Sequence, residues 1–400
     1  MTDAVTDAVT DAVTAALPAV DPIDDLRARE SEKWTAYPAD VLPLFVAEMD
    51  FALAPPIKAA LAAALERSDT GYVNIRDLRT AQAFADFAAD RWDWRPRVEA
   101  MGYATDVSTV VVEGLRRLIA PGEGVVITPP VYPPFWDFID EAGGAVVEVP
   151  MLDDGTDYAL DLDGIDRALT AGARAVLLCN PGNPTGTVHS CETLAELSRI
   201  VARHGASVIS DEIHAPLVHA GATFTPYLTV SDEARDHAIV AASGSKAFNL
   251  AGLKTAMFVA ESERMAALIH DLPEEVAVRA GLYGFIATRE GFSRGRDWLD
   301  AAIATVEANL AVLQQQLDDH LPGVRLRRGR ATYLAWLDFS ALGLGDDPAE
   351  WILEHANVAL VGGPAFGAPG AGFARLNVAC APEMIVEAVR RIAAALAKRG

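Results

Sequence analysis

The sequence predicts an α/β protein with a mostly parallel central sheet, helices on both of its faces, and a smaller α+β C-terminal domain. Between about residues 50 and 290, helical patterns alternate with short runs rich in β-branched residues. These are VVIT (125–128), AVVEV (145–149), AVLLC (175–179), SVIS (207–210), AIVAA (238–242) and TAMFVA (255–260), the rhythm of parallel strands joined by helical crossovers. After residue 295 the pattern changes to long helices, about 296–319 and 382–399, around one strand candidate, ATYLAWLDF (331–339). A chain of 400 residues also exceeds the roughly 100–200 that one core usually serves, so a large domain with a smaller companion is expected.

Taken in order, residues 2–13 read TDAV three times, an acidic low-complexity repeat with too little apolar surface to pack. Residues 1–25 are therefore expected to be a mobile tail, the competing form being a short frayed helix. Residues 26–50 are assigned to the small domain, 51–295 to the large one and 296–400 to the small one again. A helix is expected over 190–204. Asp347, Pro348 and Glu350 form a capped helix start before WILEH. In the last helix Ile385, Val389, Ile392 and Leu396 recur at helical spacing, which gives it one buried stripe.

A formal net charge of −23, without any cluster of Lys and Arg able to track phosphates, excludes a nucleic-acid groove and points to small-molecule chemistry. Cysteines 179, 191 and 380 are too few and scattered for a disulfide framework or a zinc site, so no metal is expected and the cytoplasm is the expected compartment. No apolar run reaches the roughly 18 residues of a membrane span, and the start of the chain is acidic where a signal peptide is basic.

The stretch SGSKAFNLAGLK (243–254) places Lys246 on a turn of small residues between two β-runs. A lysine that forms an imine needs close backbone approach, neighbouring hydroxyls for an anionic group, and enough desolvation to keep its amine nucleophilic. Ser243 and Ser245 can supply the hydroxyls. By itself such a lysine also reads as an exposed loop residue. Upstream, SVISDEIHAPL ends a β-run on Asp211, an acid at the carboxyl end of a strand, where α/β sheets place ligands. It can pair with a pyridinium nitrogen, or merely cap a helix; His214 beside it reads as a site neighbour or a packed residue. Further upstream, CNPGNPTGTV (179–188) uses Pro181, Pro184, Gly182 and Gly186 to hold Asn183 rigidly at a strand end.

Asn turn, Asp strand end and Ser-x-Ser-Lys in that order resemble the class I/II aminotransferase superfamily, the fold-type I pyridoxal-5′-phosphate (PLP) enzymes. A narrower resemblance to the MalY/PatB group of cystathionine β-lyases (C–S lyases) is carried by EKWTAYPADVLPLFVAEMDF (32–51), TPPVYPPF (128–135), SDEIHAPL (210–217), SGSKAFNLAGLK and GGPAFGAPGAGFARLNVACAP (362–382). It implies the PLP-dependent transferase (aminotransferase-like) fold and PLP as cofactor. Lys246 is then the Schiff-base lysine, Asp211 the partner of the pyridine nitrogen, and Asn183 the donor to the phenolic oxygen. Tyr132 stacks on the ring, with His214 nearby. Ser243, Ser245 and backbone N–H groups around Val111 and Val112 hold the phosphate. Arg375 in GFARLN binds the substrate α-carboxylate, with Ala47, Tyr132 and Asn183 lining the substrate. Tyr72 in DTGYVN crosses to a neighbouring subunit's phosphate, so a homodimer with shared, catalytically essential tyrosines is implied.

Two departures stand out. Val110 occupies a position that is usually glycine, and the helix after it looks about one turn short. Lys254 stands where aminotransferases carry arginine and can contact the phosphate or lie in solvent. The resemblance implies α,β-elimination from cystathionine or related cysteine S-conjugates, an amino-acid thioether giving thiol, pyruvate and ammonia. The alternatives are an aminotransferase acting on an amino acid and a 2-oxo acid, and a regulatory binding protein on the same scaffold.

Overall fold

The structure, a computed structural model, describes residues 18–399. Among these, seven strands form the main sheet: β1 (Gly102–Ala104), β2 (Gly124–Ile127), β3 (Ala145–Glu148), β4 (Ala175–Cys179), β5 (Ser207–Asp211), β6 (Ala238–Ala242) and β7 (Ala256–Val259). Their order is β1-β7-β6-β5-β4-β2-β3. The pairs from β6 through to β3 are parallel, and β7 runs antiparallel to both of its neighbours.

β4, β5 and β6 are buried along their whole length because helices cover both faces, and alternate residues feed two separate cores. Val176, Leu178, Val208 and Val240 pack into the core shared with the helices Arg79–Trp92 and Cys191–Arg203. Leu177, Ile209 and Ile239 pack on the other face, against the helices Val107–Leu118 and Pro134–Glu141. From β4 the sheet grows one way to β5 and β6 and the other way to β2 and β3. This reversal opens a crevice outside the carboxyl ends of the strands, where Cys179 and Asp211 finish and the chain leaves β6 toward Lys246.

A second, antiparallel sheet joins β8 (Arg325–Arg327), β9 (Leu334–Asp338), β10 (Val361–Gly362) and β11 (Phe373–Asn377) in the order β8-β9-β11-β10. The helices Arg296–His320 and Pro382–Arg399 accompany it. Ile385, Val389 and Ile392 are buried and Leu396 packs at the edge of the same core, the stripe expected from spacing. Asp347 accepts hydrogen bonds from the Ala349 and Glu350 N–H groups and caps Pro348–Ala356. No described helix is long and apolar enough to cross a membrane.

The expected tail needs correction. Its repeat, residues 2–13, lies outside the described residues, but residues 18–25 are docked: Val20 bridges to Phe51 and Ile23–Arg27 is a helix that buries Leu26. Farther on, Leu42–Pro43 pairs in parallel with Val358–Ala359, which ties the N-terminal segment to the C-terminal part of the chain. An internal ion pair anchors it as well. The Lys33 ammonium lies 2.9 Å from Asp50 Oδ1 with both side chains fully buried, a charge contact rather than a well-directed hydrogen bond. Burial pushes the Asp50 carboxyl above its usual range even with Lys33 beside it, so the pair is held against a desolvation cost. Asp50→Ala, which strands the buried ammonium, should destabilise the protein by about 3–5 kcal/mol, and the double change Lys33→Met/Asp50→Leu should recover most of it. Equal unfolding midpoints for wild type and Asp50→Ala would contradict this.

Candidate active site

Residues Phe45–Asp50 form an irregular strap between the two sheets, and nearly every one of its carbonyls is taken by a side chain from elsewhere. Arg375 donates to Phe45 O (2.9 Å), and Asn377 Nδ2 donates to both Val46 O (2.7 Å) and Glu48 O (2.6 Å). Tyr333 Oη and Lys246 Nζ both donate to Ala47 O, at 2.8 and 3.0 Å. Asn249 grips Met49 twice, its Nδ2 donating to the carbonyl and its Oδ1 accepting the N–H, both at 2.9 Å. Asn249 has φ +57°, a left-handed conformation that asparagine tolerates better than most residues. Backbone that lacks a ladder must find partners or bear the cost of burying bare polar groups, and here the partners are the functional side chains themselves.

Against this strap lies a cavity of about 450 Å³ at the carboxyl ends of the strands. It brings together Lys246, Asp211, Asn183, Tyr132, His214, Ser245, Arg375 and Ala47. Burial, reinforced by the Arg375 charge, lowers the Lys246 ammonium to about 8, while Glu48 and Asp211 oppose the shift; the neutral amine is therefore accessible near neutral pH. Burial raises the Asp211 carboxyl to about 6, with the Ile213 N–H and Lys246 pulling it back. A cation lodged next to such a carboxyl stabilises its ionised form. His214, dried by burial and facing Lys246 and Arg375, falls to about 3 and stays neutral.

Asn183 and Arg375 are locked together. Arg375 Nη1 donates to Asn183 Oδ1 at 2.9 Å, which leaves the Asn183 amide hydrogens free to donate into the cavity. The turn behind Asn183 is clamped by the small sheet's loop. Gly186 has φ +65°, a Cβ there would lie 2.7 Å from Gly329 Cα, and Arg330 N donates to Gly186 O at 2.8 Å. Only glycine permits that approach.

Three expected phosphate contacts are placed differently. The helix Val107–Leu118 starts at its cap Asp106, whose Oδ1 accepts from Thr109 N at 2.9 Å, so Val111 and Val112 sit in the second turn with buried side chains. The N–H groups without an intrahelical acceptor are those of Val107 and Ser108, and both residues line the cavity. Val110, at the position usually glycine, is part of the core on the far side. Ser243 stands behind the cavity wall: its hydroxyl donates to Thr255 O (2.7 Å) and accepts from Ser245 N (3.1 Å), so it orients Ser245. Lys254 does line the cavity, 3.3 Å from Asp106 Oδ2. Tyr72 is 98% exposed and touches no part of this cavity within its own chain.

The sequence matches the family described as Aminotransferase class I and II over residues 39–392. The chain belongs to that family. Similar aminotransferase-family proteins include the cystathionine beta-lyase of Corynebacterium glutamicum, 35% identical over 94% of this chain and 99% of that one. Cystathionine beta-lyase PatB of Bacillus subtilis is 33% identical over 89% of this chain and 93% of its own. Among solved structures, the PLP-bound C-S lyase from Staphylococcus hominis has a TM-score of 0.87 at 25% identity, covering 95% of this chain and 99% of that one.

The residues of this aminotransferase-family cavity fit a phosphate-bearing pyridine aldehyde of that kind. They supply a dried amine, an acid short of a counter-charge, an amide with free hydrogens, an aromatic wall at Tyr132, and helix N–H groups facing an anion's place. His214 Nδ1 and Arg375 Nε are buried without partners, as expected of groups arranged for something more than the protein itself. Tyr333, Asn377 and Asn249, which grip the strap, and Cys179, which lines the cavity, also belong to the site, and the sequence around them gives no local sign of it. Asn249 and Asn377 lie inside the motifs that carry the family resemblance, but nothing local announces bonds to a strap some hundreds of residues away in sequence.

Proposed function

We propose that the protein is a PLP-dependent C–S lyase of the cystathionine β-lyase type, acting by α,β-elimination on cystathionine or related cysteine S-conjugates and giving a thiol, pyruvate and ammonia. The observation that carries this reading is the pairing, in one cavity, of a Lys246 amine lowered to about 8 with an Arg375 guanidinium held by Asn183 and Phe45. Relatives named cystathionine beta-lyase, similar over most of their length, support the same reading.

Bound through Lys246 Nζ, PLP supplies the conjugated ring that takes up the electron pair left on Cα when its proton departs. Asp211 would pair with the ring nitrogen and favour its protonated form, which in turn would stabilise the Asp211 carboxylate. The Asn183 amide hydrogens, left free by Arg375, would donate to the phenolic oxygen. The helix N-terminus at Val107 and Ser108, with the Ser245 hydroxyl, would hold the phosphate, and Lys254 would add a cation near it. Tyr132, an aromatic wall of the cavity, would stack on the ring.

Two hydrogen bonds to protein leave Arg375 with a further hydrogen on each Nη, a planar fork suited to an α-carboxylate. Fixing that carboxylate would direct the Cα hydrogen toward Lys246, whose amine, set free when the substrate α-amine takes its place on the cofactor, would accept the proton. The Ala47 carbonyl holds the amine where the strap places it, so the base does not wander while the β-thiolate leaves. Phe45, Phe138, Ile213 and Val361 keep the cavity walls apolar and limit water. Thiolate departure would leave an enamine that is released and takes up water to give pyruvate and ammonia, so no 2-oxo acid is consumed.

L-Cystathionine should therefore yield many equivalents of pyruvate per enzyme with no 2-oxo acid added, followed by coupled lactate dehydrogenase. One equivalent that stops until 2-oxoglutarate is supplied would establish the aminotransferase instead.

A homodimer belongs to this reading. Tyr72 is exposed to solvent and has no hydrogen-bond partner among the described residues, as suits a side chain that reaches the phosphate of a neighbouring subunit. Mixing inactive Tyr72→Phe with inactive Lys246→Ala should restore part of the activity in heterodimers that carry one intact site. No recovery under confirmed subunit exchange would remove Tyr72 from the site.

A further inference from the structure

Resting on the lyase reading, the charges that line the cavity can be matched to tasks, and two carboxylates are left over: Glu32, which is exposed, and Glu48, which is half-buried. Arg375 is turned to the α-carboxylate, Lys246 to the cofactor and Cα, Asp211 to the ring nitrogen, and Lys254 lies beside Asp106. Glu48 lines the same cavity and is half-buried, yet among the described residues its carboxylate has no hydrogen-bond or ion-pair partner. Its position is not loose. Glu48 N donates to Val46 O at 2.9 Å, its carbonyl accepts from Asn377 Nδ2 and Lys33 Nζ, and the next residue is gripped on both sides by Asn249. The charge is felt inside the site, where it opposes the lowering of Lys246 and acts on the Tyr333 phenol.

A half-buried carboxylate without a partner, carried on backbone that is held on both sides, is placed to accept an entering cation. Of the charges on a cysteine thioether, the α-amine is used at the cofactor and the α-carboxylate at Arg375. Any cation that reaches Glu48 must lie beyond the sulfur. We propose that Glu48 is a specificity-determining residue that selects cysteine thioethers bearing a distal ammonium, as cystathionine does, over neutral S-alkyl cysteines.

Two substrates of nearly equal length isolate the charge: S-(2-aminoethyl)-L-cysteine and S-propyl-L-cysteine. Wild-type holoenzyme should prefer the first by about tenfold in kcat/KM, the scale of one charge-assisted contact in a partly exposed site. In Glu48→Gln the preference should collapse toward unity, through a raised KM for the aminoethyl compound, and Glu48→Asp should restore part of it. A wild type without the preference, or a Glu48→Gln enzyme that keeps the ratio whether or not both rates fall, overturns the proposal. The ratio can also be read as dissociation constants, by titrating the absorbance of the holoenzyme. Charge preference in binding with no pyruvate from either compound sinks the lyase reading and leaves this one standing; pyruvate from both at equal efficiency does the reverse.

Discussion

The capture of the Phe45–Asp50 backbone by side chains is the constraint on which the site depends. A segment without helix or strand satisfies few of its own carbonyls, so most must be met from outside, and the donors come from places far apart in the chain: Lys33, Lys246, Asn249, Tyr333, Arg375 and Asn377. The consequence runs in both directions. The strap is ordered by the functional residues, and the functional residues are ordered by the strap. Lys246 and Tyr333 share a single carbonyl, and Arg375 divides its donors between Phe45 and Asn183, so the amine, the carboxylate fork and the amide are referred to one rigid piece of backbone. The buried Lys33–Asp50 pair holds the far end of that piece.

Electrostatics inside the cavity is set by this arrangement rather than by the charge of the whole molecule. A chain of net charge −23 repels anions at a distance, yet the cavity offers Arg375, Lys246, Lys254 and helix N–H groups to them. Screening removes the distant repulsion within about 8–10 Å at physiological salt, while the local groups act in a drier medium where each counts for more. Burial sets the direction of each titration. It lowers Lys246 to about 8 and His214 to about 3, and raises Asp211 to about 6. These shifts separate an amine that can be neutral from an acid that is ready for a cationic partner.

Much of the fold was legible because burial on both faces of a parallel sheet leaves a continuous apolar run, as at 175–179 and 238–242, and because the Asp347 cap and the stripe of the last helix are local patterns. The short edge strand Gly102–Ala104 and the reversed direction of Ala256–Val259 were not legible, since three residues carry little pattern and apolarity does not encode direction. In the site, motifs located Lys246, Asp211, Asn183 and Arg375 within one cavity. At the helix Val107–Leu118 the cavity is lined by Val107 and Ser108 rather than Val111 and Val112, because the cap Asp106, less conspicuous in the sequence than the run of valines at 110–112, places the helix start at Val107. The docking of residues 18–25 depends on a bridge to Phe51 that the acidic repeat before them conceals.

The central claim is that Lys246, dried by its surroundings and held at the Ala47 carbonyl, is the amine that carries the cofactor. The direct measurement is borohydride reduction of the holoenzyme followed by peptide mass mapping. The expected result is one pyridoxyl adduct, on Lys246, and none on Lys254, Lys33 or Lys58. An adduct located on another lysine, or one formed undiminished in Lys246→Ala, would contradict the account.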